Sequence, residues 1–437
     1  MAKASGWGSE DRGFKSRYPD FFIISSCYNL FMSFLLIFLL FLIWRVSDFI
    51  IIFFSQKVIP YLGFFSYKDD LLIFKLPNWL SSLANFDGIH YIKIAEKGYS
   101  QYEQAFFPLY PILIKFLTLP FFNNKLLIGI IISNMSFLLG LFFFYRYLKL
   151  IFPNNRQSNK LTIVLLLLFP TSFFFGAVYT EGLFFLLLIL VLYFLKKERY
   201  LMVIIFAFLT SLTRIVGVFV IIPILFHLIQ KLKVKSQNIK FILKSLLYLI
   251  LNIKYFLLVL SPILGLAAYC FYLLKTTGDP FFFFSSQPAF GASRSTHLIS
   301  FLQVYWRYFK IFITARWNFQ YFVSIIEFSF FSFVLIILVL DLFKNLGIKN
   351  LKFIKNCKLK IENYEFLGLN LFSLINLILP TLTGTFLSIP RFSLMSLSLF
   401  IYLSLIKNTV VKYLILIIFL ILHILLLGFF TQGYFIS

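Results

Sequence analysis

Residues 28–54 run YNLFMSFLLIFLLFLIWRVSDFIIIFF, with Arg45 and Asp48 as the only charged side chains. A helix of about 20 apolar residues crosses the ~30 Å of hydrocarbon in a bilayer, where every backbone N–H and C=O must be paired within the segment. The stretch therefore predicts a membrane-spanning helix. It is too long for a removable signal and lacks a small-residue cleavage site, so it is expected to stay as an anchor. Apolar runs recur near residues 126–145, 161–176, 178–195, 200–213, 215–230, 245–274, 318–342, 366–388, 393–406 and 410–430. Residues 200–230 are divided in two around Thr213 and Arg214 because basic residues cluster at both ends. With the first run these make about 11 transmembrane helices in an all-α polytopic integral membrane protein, a single transmembrane domain over residues 1–437. Short alternating strands, which a barrel would need, are absent from the pattern.

Composition points the same way. With 61% hydrophobic and 13% charged residues, a chain of 437 residues is not a set of soluble domains. The net charge of +24 raises nucleic acid as a partner, but charge in cytoplasmic loops and a lysine-rich bias account for it. Cys27, Cys270 and Cys357 lie too far apart for a zinc or disulfide framework. His227, His297 and His423 are scattered, and Asp69-Asp70 reads as a solvated loop pair. No phosphate-binding glycine loop or nucleophile elbow occurs, which removes nucleotide-driven pumping and serine hydrolysis.

Lys and Arg are retained on the cytoplasmic side. With the N-terminus cytoplasmic, 24 of the 40 basic residues fall in inner segments, among them Lys3, Arg12, Lys15 and Arg17 of the tail, Lys231 to Lys244, and six lysines between Lys344 and Lys360. Two long outer loops result, about 55–125 and about 275–317. No internal repeat is evident, which argues against a transporter built of inverted halves.

The first outer loop holds Asn85-Phe86-Asp87-Gly88-Ile89-His90-Tyr91, running on to Gly98-Tyr99. Asp87 and His90 are three apart and share a helix face. Such a carboxylate can accept a hydroxyl proton while the imidazole orients the acceptor or carries charge. The same spacing also suits Asp87 as a helix cap, with Gly98 as the stop. Glu181 sits at the outer end of a span, where an ionisable group is expensive enough to be a functional candidate, or caps the helix that follows. Arg214 lies in an apolar stretch with no acid nearby in sequence, so a lipid phosphate or Glu181 must supply its counter-charge. Arg391, after Pro390, can hold a phosphate with its forked guanidinium or snorkel to headgroups. Asp279, in Gly278-Asp279-Pro280, is a turn former or a substrate contact.

Taken in order, several stretches resemble the signature of the PIG-V family of mannosyltransferases. They are Asp87-Gly88-Ile89-His90-Tyr91, Ile94-Ala95-Glu96-Lys97-Gly98-Tyr99, Phe106-Phe107-Pro108-Leu109-Tyr110-Pro111, Phe169-Pro170-Thr171-Ser172 to Tyr179-Thr180-Glu181, Thr213-Arg214, Gly278-Asp279-Pro280 to Gln287, and Ile389-Pro390-Arg391-Phe392. The family usually carries Trp where this chain has Phe86, and Tyr is common at the position of Phe392. The resemblance implies a GT-C type membrane glycosyltransferase that inverts at the sugar. It would move a mannose-like sugar from a polyprenyl (dolichyl-type) phosphate to a hydroxyl of a lipid, glycan or protein at the extracytoplasmic or lumenal face. It implies Asp87 as the catalytic group at the acceptor hydroxyl, and His90, Tyr91, Glu181, Arg214, Asp279, Gln287 and Arg391 as substrate-binding residues. No cofactor or metal ligand is assigned: the lipid-linked sugar is a substrate, and the need for a divalent metal stays open. A secondary transporter or lipid flippase is the alternative that hydrophobicity alone would allow.

Overall fold

A computed structural model describes residues 19–62, 68–121, 123–231, 252–290, 294–347 and 364–436. The basic N-terminal tail, Lys233 to Lys244, Lys349 to Lys360, Cys357 and the side chain of Cys27 lie outside the described residues. Every apolar run contains a helix, and no strand occurs among the described residues. The chain is an all-α membrane protein.

The helices that matter for the site are α1 (Pro19–Val58), α2 (Asp87–Lys97), α3 (Leu109–Phe121), α4 (Lys125–Ile151), α5 (Arg156–Leu168), α6 (Glu181–Lys196), α7 (Tyr200–Thr213) and α8 (Ile221–Lys231). They continue with α9 (Ile253–Thr277), α10 (Phe301–Thr314), α11 (Phe319–Asn345), α12 (Tyr364–Ile378), α13 (Leu397–Ser404) and α14 (Thr409–Thr431). Asparagine starts five of them. The side chains of Asn124, Asn155, Asn252, Asn318 and Asn408 accept from backbone N–H groups in the first turns of α4, α5, α9, α11 and α14, satisfying donors a helix start leaves open. At the other end, Gly98 and Gly278 stop α2 and α9 at φ 84° and 78°, a region that favours glycine.

Among the described residues, six helical segments are long and apolar enough to cross a membrane: Phe31–Val58, Lys125–Ile151, Ile253–Thr277, Phe319–Asn345, Tyr364–Thr383 and Thr409–Thr431. The other five expected spans hold shorter helices. Helix α5 has 13 residues, about 20 Å of rise, short of the ~30 Å a bilayer core requires. It ends at Leu168 because Pro170 keeps Phe169 out of the helical region, at φ −57° and ψ 136°. Helix α7 ends at Thr213, Arg214 is extended at φ −156° and ψ 146°, and a 3₁₀ segment leads into α8.

The short helices are packed by protein. Helix α6 runs between α4 and α7, and α7 lies along α9. A Cβ on Gly265 of α9 would fall 2.2 Å from the Phe208 carbonyl oxygen of α7, so these two backbones touch where glycine stands. Phe137 of α4 stacks on Phe175 with ring centres 4.2 Å apart. Helix α1 packs on α14, and α8, α11 and α13 gather around α12.

Candidate functional site

Glu181 is the first residue of α6 and only 1% exposed. The turn before it is held tightly, since a Cβ on Gly182 would meet the carbonyl oxygens of Ser133 and Phe175 at 2.6 and 2.7 Å. The Tyr179 hydroxyl donates to the Asn85 carbonyl at 2.8 Å, and the Val178 N–H to the Leu83 carbonyl at 3.0 Å. This ties the approach to α6 to the approach to α2. On the opposite side the Thr171 hydroxyl donates to the Pro390 carbonyl at 2.8 Å, and the Asn376 amide to that of Phe392 at 2.8 Å. The residue before Asp87, Phe86, has φ 59°, a left-handed conformation that costs a bulky residue about 1–3 kcal/mol. Its ring packs against Phe430 and Phe435, which offsets part of that strain.

These constraints bring four charges together. Arg391 donates from one terminal nitrogen to Asp87 Oδ2 at 2.7 Å, and its Nε lies 3.4 Å from Glu181 Oε1. Arg214 donates to the same Glu181 oxygen at 2.5 Å. The order is Asp87, Arg391, Glu181, Arg214, with alternating sign and no net charge. The Phe392 ring lies between the two guanidinium groups, with centroid distances of 5.1 Å to Arg214 and 5.3 Å to Arg391. Both arginines thus have acidic partners in the fold, distant in sequence, and Glu181 is the counter-charge Arg214 required.

The four charges line a cavity of about 460 Å³ together with His90, Tyr91, Gln287, Arg294 and Phe392. His90 shares the cavity with Asp87, and its Nδ1 lies 3.1 Å from Glu103 Oε1. Glu103 also accepts from the Ser100 N–H at 3.0 Å. The His90 ring stacks on Phe106 at 5.1 Å, so orientation of this imidazole is set from two sides. Tyr91 packs edge-on against Phe106, Tyr110 and Tyr179. Gln287 accepts from an Arg294 terminal nitrogen at 2.8 Å.

Burial pushes the Asp87 carboxyl up, but Arg391, by charge and hydrogen bond, with lesser help from His90 and Arg294, outweighs it and leaves the group below the ordinary carboxylate range. Glu103 behaves alike: burial raises it, and the bonds from His90 and Ser100 bring it lower. Burial pushes the Tyr91 phenol upward, with Glu181 and Asp87 adding to the shift. Tyr91 is therefore a donor at neutral pH, and Asp87 an acceptor.

Asp279 stands apart from these residues. It is not among the residues lining the cavity. Its Oδ1 accepts from the Phe281 N–H at 2.8 Å and its Oδ2 from the Ser285 hydroxyl at 3.4 Å, so its side chain closes the turn after α9. Asp87 is not the side-chain cap of α2 either, since Phe86 occupies the capping position.

Three ionisable residues near the site escaped the sequence reading. Glu103 sits between two of the quoted stretches, Arg294 shares a loop with Gln287, and Glu327 is an acid within an apolar helix. Glu327, 3% exposed in α11, accepts from the Tyr308 hydroxyl at 2.5 Å. An acid in such a helix was itself the available signal. A buried Asp48, His423 and Ser172 also align, with His423 Nε2 at 2.8 Å from Asp48 and Nδ1 at 3.2 Å from Ser172. The Ser172 hydroxyl donates to the Leu167 carbonyl at 2.6 Å and the residue has no exposure, so this group ties α1 to α14 and offers no nucleophile. Among the described residues no three His, Cys, Asp or Glu side chains gather into a metal-binding group.

No family model, curated protein or solved structure matches this chain.

Proposed function

We propose that the chain is a GT-C type membrane glycosyltransferase of about eleven spans, resembling PIG-V enzymes, acting at the extracytoplasmic or lumenal face. It transfers a mannose-like sugar from a polyprenyl phosphate to a hydroxyl of a lipid, glycan or protein. The observation that carries this reading is the line Asp87, Arg391, Glu181, Arg214 at one cavity, assembled from stretches that are far apart in sequence.

The reaction asks little of the protein. The bond between the anomeric carbon and the phosphate oxygen breaks, and one forms to the acceptor oxygen on the opposite face of the sugar. The acceptor proton passes to Asp87, and the polyprenyl phosphate leaves with one more negative charge. Catalysis then consists of holding that charge with cations and giving the proton an acceptor. Asp87, held ionised by Arg391, is a weak base at rest. A donor phosphate competing for the Arg391 guanidinium loosens this hold and makes the carboxylate more basic when the sugar is in place. His90, fixed by Glu103 and Phe106 one helical turn from Asp87, orients the acceptor hydroxyl. Tyr91 remains protonated and can donate to a sugar oxygen.

The test offers the purified protein polyprenyl-phosphate mannose and a panel of hydroxyl acceptors. Asp87→Asn keeps the shape and removes the proton acceptor, and loss of a general base is expected to lower transfer by about 10² to 10⁴. Near-normal transfer by this variant removes Asp87 from the chemistry. A wild-type protein that moves intact lipid across vesicles but forms no glycoside is a flippase.

A further inference from the structure

The His90 imidazole is held on three sides. Its Nδ1 lies 3.1 Å from Glu103 Oε1, its face stacks on Phe106 at 5.1 Å, and the Phe290 ring meets it edge-on at 5.3 Å. Glu103 is fixed in turn, 5% exposed, with Oε2 accepting from the Ser100 N–H at 3.0 Å. Burial raises Glu103, but the bonds from His90 and Ser100 outweigh it and hold the group below the ordinary carboxylate range. At neutral pH this carboxylate has no proton to give and can only accept. The bond to it therefore puts the ring proton on Nδ1, and a neutral imidazole protonated there has Nε2 as its acceptor. A carboxylate that fixes the tautomer in this way makes the imidazole a positioned base.

That base stands beside Asp87. The two residues are three apart on α2, with Cβ atoms about 5–6 Å apart; both line the cavity, and His90 is electrostatically coupled to the Asp87 carboxylate. Asp87 itself is a poor place for a proton to stay. An ordinary aspartate is protonated in roughly one molecule in 10³ at pH 7, and here the pull of Arg391 at 2.7 Å outweighs burial and makes that rarer. Imidazole is the side chain whose ordinary titration lies nearest neutrality. The charged groups around this one are Asp87 and Lys93 on its own helix, Glu103 from the turn that follows, and Arg294 and Arg391 on the cavity wall.

We propose that His90, with Glu103 as its positioning residue, takes over the acceptor's proton from Asp87 and holds it until the product leaves. This rests on the glycosyltransferase reading and adds a second proton site to it. The acceptor O–H bond breaks as its oxygen bonds the anomeric carbon, and the proton goes to the Asp87 carboxylate. It passes on to His90 Nε2, whose lone pair forms the new N–H bond, while the Nδ1 proton stays on its bond to Glu103. Asp87 regains its charge and its contact with Arg391. The imidazolium faces Glu103, and the extra proton is released to water when the glycoside departs.

The test is the pH dependence of steady-state transfer by the full chain in detergent, from polyprenyl-phosphate mannose to an acceptor of the panel that wild type turns over. The rate per monodisperse protein is followed from about pH 5 to about pH 8. Wild type is expected to show an acid limb in kcat, because an imidazole protonated beforehand takes no second proton. Glu103→Gln keeps the shape and removes the charge that favours the imidazolium, so kcat at neutral pH should fall about tenfold and the limb move about one unit toward lower pH. His90→Gln should lose at least about tenfold in kcat, with KM within about twofold, and should lack the limb. Purely structural damage would scale the rate equally at every pH and leave the limb in place. A flat wild-type profile, a limb unmoved in both variants, or a loss confined to KM overturns the relay, the last meaning that His90 only orients the acceptor. Should Glu103→Gln not stay monodisperse, His90→Gln carries the test alone. A wild type that transfers to no acceptor refutes the transferase reading and the relay with it, whereas transfer with an unmoved limb refutes the relay alone.

Discussion

Removing Arg214 should destabilise the fold because it strands a buried acid. Glu181 is 1% exposed and its Oε1 takes a 2.5 Å hydrogen bond from Arg214, with the Arg391 Nε farther off at 3.4 Å. At an effective dielectric of about 20, two unit charges at such a distance attract by about 7 kcal/mol, and withdrawing both ions from water offsets much of that. Breaking one partner of a buried pair commonly costs about 3–5 kcal/mol, because the other charge is left uncompensated. Arg391 still faces Glu181, so Arg214→Met belongs at the low end, about 3 kcal/mol. Adding Glu181→Gln removes the stranded charge and should restore about 2 kcal/mol. The assay is a double-mutant cycle on unfolding in mixed micelles, with monodispersity as a control. If the double variant is destabilised by the sum of the two single effects, the ion pair is not what holds this corner. A loss of less than about 1 kcal/mol in Arg214→Met would refute the pairing equally.

Three further outcomes follow from the geometry. Gly265→Ala forces a Cβ against the Phe208 carbonyl, and it should lower unfolding stability by about 1–3 kcal/mol; an unchanged midpoint means α7 and α9 are not in backbone contact. Asp87 is depressed below its unfolded value of about 3.9, so its stabilisation is present above about pH 4 and is lost as pH falls through the folded value. The difference in unfolding midpoint between wild type and Asp87→Asn should therefore stay constant from pH 7 to about pH 5 and shrink only below about pH 4. A difference already gone at pH 6 contradicts the pairing with Arg391. Asp279→Ala removes a turn bond and should leave substrate affinity unchanged, with a stability loss of about 1 kcal/mol; a tenfold loss of affinity returns Asp279 to the binding site.

The helices were legible because lipid and protein interior both demand apolar side chains, and for the same reason hydropathy alone does not count the spans. Between Glu181 and Lys196 helix α6 is apolar, yet nearly all of it is buried against α4 and α7. Its composition answers to neighbours as much as to hydrocarbon, and a hydropathy reading cannot separate the two. Stops were clearer, since Gly98, Gly278 and Pro170 act through local backbone preference. At the site, Glu181 and Arg214 stood out against apolar surroundings, but their 2.5 Å contact is a tertiary fact. So is the contact of Asp87 with Arg391 across 304 positions. Arg294 was overlooked because a lone cation in a polar loop has no contrast with its neighbours; only the packing reveals that it lines the cavity beside Gln287. Asp279 drew attention for the opposite reason, as glycine and proline flank it in a pattern that serves the turn.

The alternation of sign along Asp87, Arg391, Glu181 and Arg214 has a consequence for arrival as well as for binding. Charges that cancel in sequence leave dipoles, whose potential dies away faster with distance than that of a net charge. Beyond the Debye length of about 8 Å in physiological salt, the quartet is nearly invisible to ions in solution. The quartet itself therefore adds little to the steering of a mobile anion in water. A ligand already confined to the bilayer gains nothing from such steering. It searches in two dimensions and meets the charges only on contact, where their full strength acts.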